Sequence, residues 1–102
     1  MSDIGALEDF SPGVAHAVTA GGRRLVLVRI GDDVYVLDDR CSHEDFPLSE
    51  GEVDEAGGTI ECARHGAAFS LATGEPESFP ATQPVRRFEV TVQEGRVRVV
   101  SE

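Results

Sequence analysis

Arg87-Phe-Glu-Val-Thr-Val92 and Arg96-Val-Arg-Val-Val100, with Glu94-Gly95 between them, decide the fold class. Phe88, Val90 and Val92 alternate with polar residues at the period of a half-buried strand, so they are expected to share one face. The second run alternates in the same way, and Glu94-Gly95 supplies the turn of an antiparallel hairpin. Towards the N-terminus, Arg24 to Ile30 is rich in β-branched residues, Gly31-Asp32-Asp33 turns the chain, and Val34-Tyr-Val-Leu37 returns it. Val14 to Val18, between Pro12-Gly13 and Ala20-Gly21-Gly22, reads as a further strand, and Thr59–Glu61 and Ala68–Ser70 as shorter ones. No segment of ten or more residues carries helical periodicity. The expected architecture is all-β, with short antiparallel strands at turn-signalled intervals.

The 102 residues suffice for one domain and not for two independent cores. Nine arginines, no lysine and nineteen acids give a formal charge of -10. That balance argues against nucleic acid, whose phosphates must be neutralised by clustered cations, and suits a partner with a basic face. The first ten residues carry acids where a signal peptide would carry cations, and the longest aliphatic run, Leu25-Val-Leu-Val28, is far too short to cross a bilayer. A cytoplasmic protein without a membrane partner is expected. In such a compartment two cysteines remain thiols, bind a metal or do redox chemistry more often than they form a disulfide.

Both cysteines stand beside a histidine, in Cys41-Ser-His43 and Cys62-Ala-Arg-His65, although the chain has only three histidines. Each pair offers one thiolate and one imidazole, and two such loops make a four-ligand S2N2 site open to zinc or to an iron–sulfur cluster. Zinc sites more often pair cysteine with cysteine and histidine with histidine. With the histidines taken, the sequence holds no Ser-His-Asp arrangement, phosphate-cradling loop or paired-carboxylate cleft, so no independent turnover of an organic substrate is expected.

C-x-H, eighteen residues, then C-x-x-H resembles the cluster-binding motif of Rieske [2Fe–2S] proteins. The similarity runs on through Pro47-Leu-Ser-Glu-Gly51, His65-Gly66 with Phe69, Thr73-Gly74, and Phe79-Pro-Ala-Thr-Gln-Pro84, covering nearly the whole chain. Length and layout are similar to those of the small Rieske-type ferredoxins of ring-hydroxylating oxygenase systems. The resemblance implies a Rieske-type antiparallel β-sandwich spanning residues 1–102, with a small inserted cluster-binding subdomain at about 41–69. It implies one [2Fe–2S] cluster, with Cys41 and Cys62 on one iron and His43 and His65 on the other. It further implies a one-electron carrier between a flavin-dependent ferredoxin reductase and a terminal oxygenase. A stand-alone redox-sensing or iron–sulfur-assembly-associated protein is the alternative, followed by a structural zinc module.

The high-potential branch of that family has two further cysteines and hydroxyl donors where this chain has Ala67 and Phe69, which implies a low-potential centre here. Ala63 stands where many members have proline, an exchange that loosens the second loop. Gly66 is expected to take a positive φ. Between the two motif cysteines lie Glu44, Asp45, Glu50, Glu52, Asp54, Glu55 and Glu61 without a single base. They read either as a solvated loop or as a steering surface for a basic partner. Arg64 is expected to face solvent, and Pro80 and Pro84 resemble the proline loop that covers the cluster. His16 reads as a surface or core histidine, Tyr35 and Phe88 as packing residues, and Glu8-Asp9 and Arg86-Arg87 as solvated charge.

Overall fold

The computed structural model describes residues 2–40, 47–63, 66–77 and 83–101. Among the described residues nine strands follow in order: β1 Ser2–Ala6, β2 Ala15–Ala20, β3 Arg23–Ile30, β4 Asp33–Asp38, β5 Glu52–Asp54, β6 Thr59–Glu61, β7 Ala68–Ser70, β8 Arg87–Gln93 and β9 Arg96–Ser101. Two sheets result, one ordered β1-β9-β8-β4-β3-β2 and the other β5-β6-β7, and every ladder between these strands is antiparallel. β4 and β8 pair directly at Val36↔Phe88 and Leu37↔Arg87, so the chain between them, small sheet included, is an insertion between neighbouring strands.

The run Leu25-Val-Leu-Val28 explains the layering, because all four side chains are buried. A strand covered on both faces reads as a continuous apolar run, and its residues alternate between the two cores it separates. Leu25 and Leu27 join Phe10, Val36, Phe88, Val97 and Val99 in one cluster, edged by Ile4 of β1 and Val18 of β2. Strands from opposite ends of the large sheet meet in that cluster, so the sheet is rolled around it. Val26, Val28 and Leu37 face the other way, onto Leu48, Ile60, Cys62, Ala67, Phe69 and Leu71. The small sheet thus rests on the outer face of the large one.

Three differences from the sequence reading have physical causes. β1 and β5 show no alternation to announce them; β1 is a strand because it pairs with β9, where Asp3 meets Arg96, and β5 because Val53 pairs with Ile60. Val92 is 39% exposed rather than sharing the burial of Phe88, since β8 stays paired with β4 only near Phe88 and Val92 lies beside the hairpin turn. Arg86, read as solvated charge, stacks its guanidinium 5.5 Å above the Phe88 ring.

Candidate metal centre

β6 and β7 form a hairpin whose connection carries the second motif. Cys62 is the first residue beyond β6; its N–H donates to the Ala67 carbonyl at 2.7 Å, and its carbonyl accepts from the Gly66 N–H at 2.9 Å. These two bonds close a tight turn around residues 62–67. Gly66 takes φ +73°, as expected, and a Cβ there would meet open space apart from a Glu61 oxygen 3.9 Å away, so backbone conformation rather than crowding demands glycine. The Cys62 side chain is fully buried with Ile60, Ala67 and Phe69 and forms no disulfide. Ala63, one residue on, is exposed. Among the described residues no group of three or more His, Cys, Asp or Glu side chains converges as a complete metal site. Cys41, His43 and His65, with Glu44, Asp45, Arg64 and Pro80, lie outside the described residues.

What holds the ends of the first motif is on view. A single 3-10 turn, Leu48–Glu50, follows Pro47 and buries Leu48 in the core shared with Cys62. Gly51 then presses against the Glu61 carbonyl so closely that any Cβ would collide with it. The exit of the first loop is therefore seated on the residue before Cys62. The carboxylate of Asp39, at the end of β4, accepts the Ser49 N–H at 2.7 Å and the Ser49 hydroxyl at 2.8 Å. Neither residue stood out in the sequence reading, although Asp39 lies two positions before Cys41 and Ser49 within Pro47-Leu-Ser-Glu-Gly51.

Among the described residues, His16, Tyr35 and Phe88 take packing roles. The ring of His16 hydrogen-bonds through Nε2 to the Ser11 carbonyl at 3.0 Å and meets Phe10 edge to face at 5.3 Å between centroids. Tyr35 and Phe88 pack against the two cores. Glu50, Glu52, Asp54, Glu55 and Glu61 are exposed, and Glu52 faces Glu61 directly across the β5–β6 ladder.

A family model for the Rieske [2Fe–2S] domain matches residues 2–89. The chain belongs to the Rieske [2Fe–2S] family. The Rieske domain is 44% identical to Ferredoxin CarAc of Metapseudomonas resinovorans over 98 residues, covering 95% of this chain and 90% of that one. It superposes with a TM-score of 0.95 on the ferredoxin of carbazole 1,9a-dioxygenase from Nocardioides aromaticivorans IC177, at 32% identity, covering 98% of this chain and 96% of the other. A TM-score of 0.88 at 42% identity, covering 96% and 99%, relates it to a chain in a complex of reduced oxygenase and oxidized ferredoxin in carbazole 1,9a-dioxygenase. The Rieske domain carries one [2Fe–2S] cluster and is an electron carrier rather than a catalyst. The buried Cys62 fits that cofactor: thiolate is the soft donor that iron–sulfur clusters require, and backbone hydrogen bonds to Gly66 and Ala67 fix the residue that delivers it. Bound there, the cluster supplies one-electron chemistry. No helix among the described residues is long and apolar enough to cross a membrane.

Proposed function

We propose that the chain carries single electrons from a flavin-dependent reductase to a terminal oxygenase in the cytoplasm. In this reading Cys41 and Cys62 hold one iron and His43 and His65 the other, within a single domain of residues 1–102 whose cluster-binding subdomain spans about 41–69. The observation that carries it is the closed turn at residues 62–67, which buries the Cys62 side chain while Gly51, from the exit of the other motif, seats against Glu61. Two loops 18 residues apart are anchored at one point, as a ligand set drawn from both demands. The relative solved in a complex of oxygenase and ferredoxin supports the acceptor class. Imidazole ligands leave the cluster less negative than four thiolates would, so it takes up an electron more readily, and they offer a ring edge for transfer to a docked protein.

Charge supports basic docking faces on the partners. Like charges directly opposite on a ladder destabilise it, yet Glu52 faces Glu61 beside the Cys62 turn, with Glu50, Asp54 and Glu55 nearby in the chain. Such a surface accelerates encounter with a basic protein in a salt-dependent way. The ligand assignment is tested by iron and acid-labile sulfide analysis with visible and EPR spectra of Cys41→Ser, Cys62→Ser, His43→Ala and His65→Ala. Each is expected to lose the cluster; full loading of any one removes that residue from the set, and zinc without sulfide in the wild type would overturn the reading. Stopped-flow reduction by the cognate reductase is expected to slow as salt rises, and rates independent of salt would remove the docking role of the acids.

A further inference from the structure

We propose that Asp39 is a positioning residue for the cluster, closing the segment that bears Cys41 and His43 through a two-pronged hydrogen bond to Ser49. Among the described residues Asp39 is the only charged residue in the buried set, and its side chain is entirely shielded from solvent. A buried carboxylate is costly unless each oxygen finds a donor. Here Oδ1 accepts the Ser49 backbone N–H at 2.7 Å and Oδ2 accepts the Ser49 hydroxyl at 2.8 Å. The guanidinium of Arg24 stands 3.7 Å from Oδ2, but that side chain is 70% exposed and adds little. Both strong bonds thus go to one residue ten positions away, and the nine residues between them include Cys41 and His43.

The anchoring continues at both ends. The Asp39 N–H donates to the Arg24 carbonyl at 3.2 Å, tying the start of the segment to the beginning of β3. At its exit, Leu48 is buried and Gly51 rests on the Glu61 carbonyl. A loop clamped at its base has fewer conformations in which a cysteine and a histidine can leave the metal, and groups that orient ligands in this way typically change metal affinity about 10–100-fold when removed. A fixed loop also holds the ligands in one geometry through oxidation and reduction. The proposal rests on Cys41 and His43 being ligands.

The test follows bleaching of the holoprotein by the ferrous chelator bathophenanthroline without denaturant, alongside far-UV circular dichroism and the EPR spectrum of the reduced state. Asp39→Ala is expected to bleach about 10–100-fold faster than wild type, with broadened EPR lines and an unchanged strand spectrum. Ser49→Ala keeps the backbone donor and loses only the hydroxyl, so it should bleach roughly 2–10-fold faster, the worth of one hydrogen bond. Ser49→Thr retains both donors and should match the wild type. Asp3→Ala, which removes an exposed ion pair on β1, serves as a control and should leave bleaching unchanged. Wild-type bleaching and line width in both Asp39→Ala and Ser49→Ala would overturn the proposal, as would acceleration accompanied by a proportionate loss of strand signal. If Asp39→Ala yields no folded protein, the Ser49→Ala and Ser49→Thr pair decides alone. Failure of the ligand assignment is distinguishable, because Cys41→Ser would then keep its cluster whatever Asp39 does.

Discussion

The two cores of this molecule are built by different means. The one inside the rolled sheet draws Phe10, Leu25, Leu27, Val36, Phe88, Val97 and Val99 largely from strands of six to eight residues, long enough to carry alternation and ladder bonds of their own. The other joins Val26, Val28 and Leu37 from the outer face of that sheet to Ile60 and Phe69, on strands of three residues each, and to Leu48, Cys62, Ala67 and Leu71 from turns. Three-residue strands make few ladder bonds, so the small sheet depends on turn geometry, on its seat and on the cluster. The large sheet should fold as a scaffold, and the insertion should be the first part to yield.

Phe69→Ala against Phe88→Ala is the sharpest way to break that contrast. Both rings are buried, at 0% and 3% exposure, and each truncation should cost about 3–5 kcal/mol. In a urea titration of the holoprotein, Phe69→Ala is expected to lose its visible absorbance well before its far-UV strand signal. Phe88→Ala should lose both together at a lowered midpoint. Coincident transitions in Phe69→Ala would mean that the two cores are one cooperative unit.

Gly74→Ala probes the seam between the regions. Gly74 takes φ +80°, its N–H donates to Ser70, its carbonyl accepts from Val85, and a Cβ would collide with the Val85 carbonyl. Gly21 has φ +59° with open space around it. Gly21→Ala should cost only the left-handed backbone penalty, about 1–2 kcal/mol, and Gly74→Ala should cost more because backbone must also shift. Equal urea midpoints for the two variants would show that the seam can open without resistance.

The same contrast governs how much could be read in advance. The β8–β9 hairpin was legible because Phe88 and Val97 stand in alternating runs, the β3–β4 hairpin because a β-branched apolar run meets the Gly31-Asp32-Asp33 turn, and β6 and β7 were legible from Ile60 and Phe69. β5 and the Asp39–Ser49 pair were not, because their definition is non-local: a carboxylate's burial and a donor ten residues away leave no periodic trace. The Rieske family was legible from the two Cys/His pairs, since Cys and His are scarce enough for their spacing to carry information. The acids between the motifs revealed their charge but not that Glu52 and Glu61 meet across a ladder, which follows only from register.

Within the second core, Ala67→Ser tests whether the apolar lining sets the potential. Ala67 is fully buried beside Cys62 and donates no side-chain hydrogen bond, and this lack places the centre towards the lower end of the roughly -150 to +300 mV Rieske range in our reading. A hydroxyl donating to cluster or cysteine sulfur favours the reduced, more negative state. At about 1 kcal/mol, with 59 mV per tenfold change for one electron, that is a rise of roughly 40 mV. Phe69→Tyr should shift it in the same direction, and protein-film voltammetry showing no rise in either variant would remove the second core from control of the potential.

The smallest effect is expected at the β1–β9 ladder, on the edge of the large sheet. Arg96 grips Asp3 with two hydrogen bonds, Nη2 to Oδ1 at 2.7 Å and Nε to Oδ2 at 3.2 Å. The Arg96 hydrogen bond, assisted by the Gly5 N–H and opposed by desolvation, holds the Asp3 carboxyl below its ordinary value of 3.8. A carboxyl whose folded value is depressed contributes stability above its unfolded value and loses it as pH falls through the folded one. The far-UV urea midpoint of Asp3→Asn should therefore lie slightly below wild type at pH 7, with the gap closing as both are acidified past that carboxylate range. Salt should shrink the gap as well, because the pair is exposed and screened. Chelator bleaching at pH 7 should not distinguish the two proteins, since β1 and β9 line the scaffold core and not the core that buries Cys62. An Asp3→Asn protein that bleached faster at neutral pH would mean that strain at the N-terminal edge reaches the insertion, and the division between scaffold and ligand-bearing sheet would have to be redrawn.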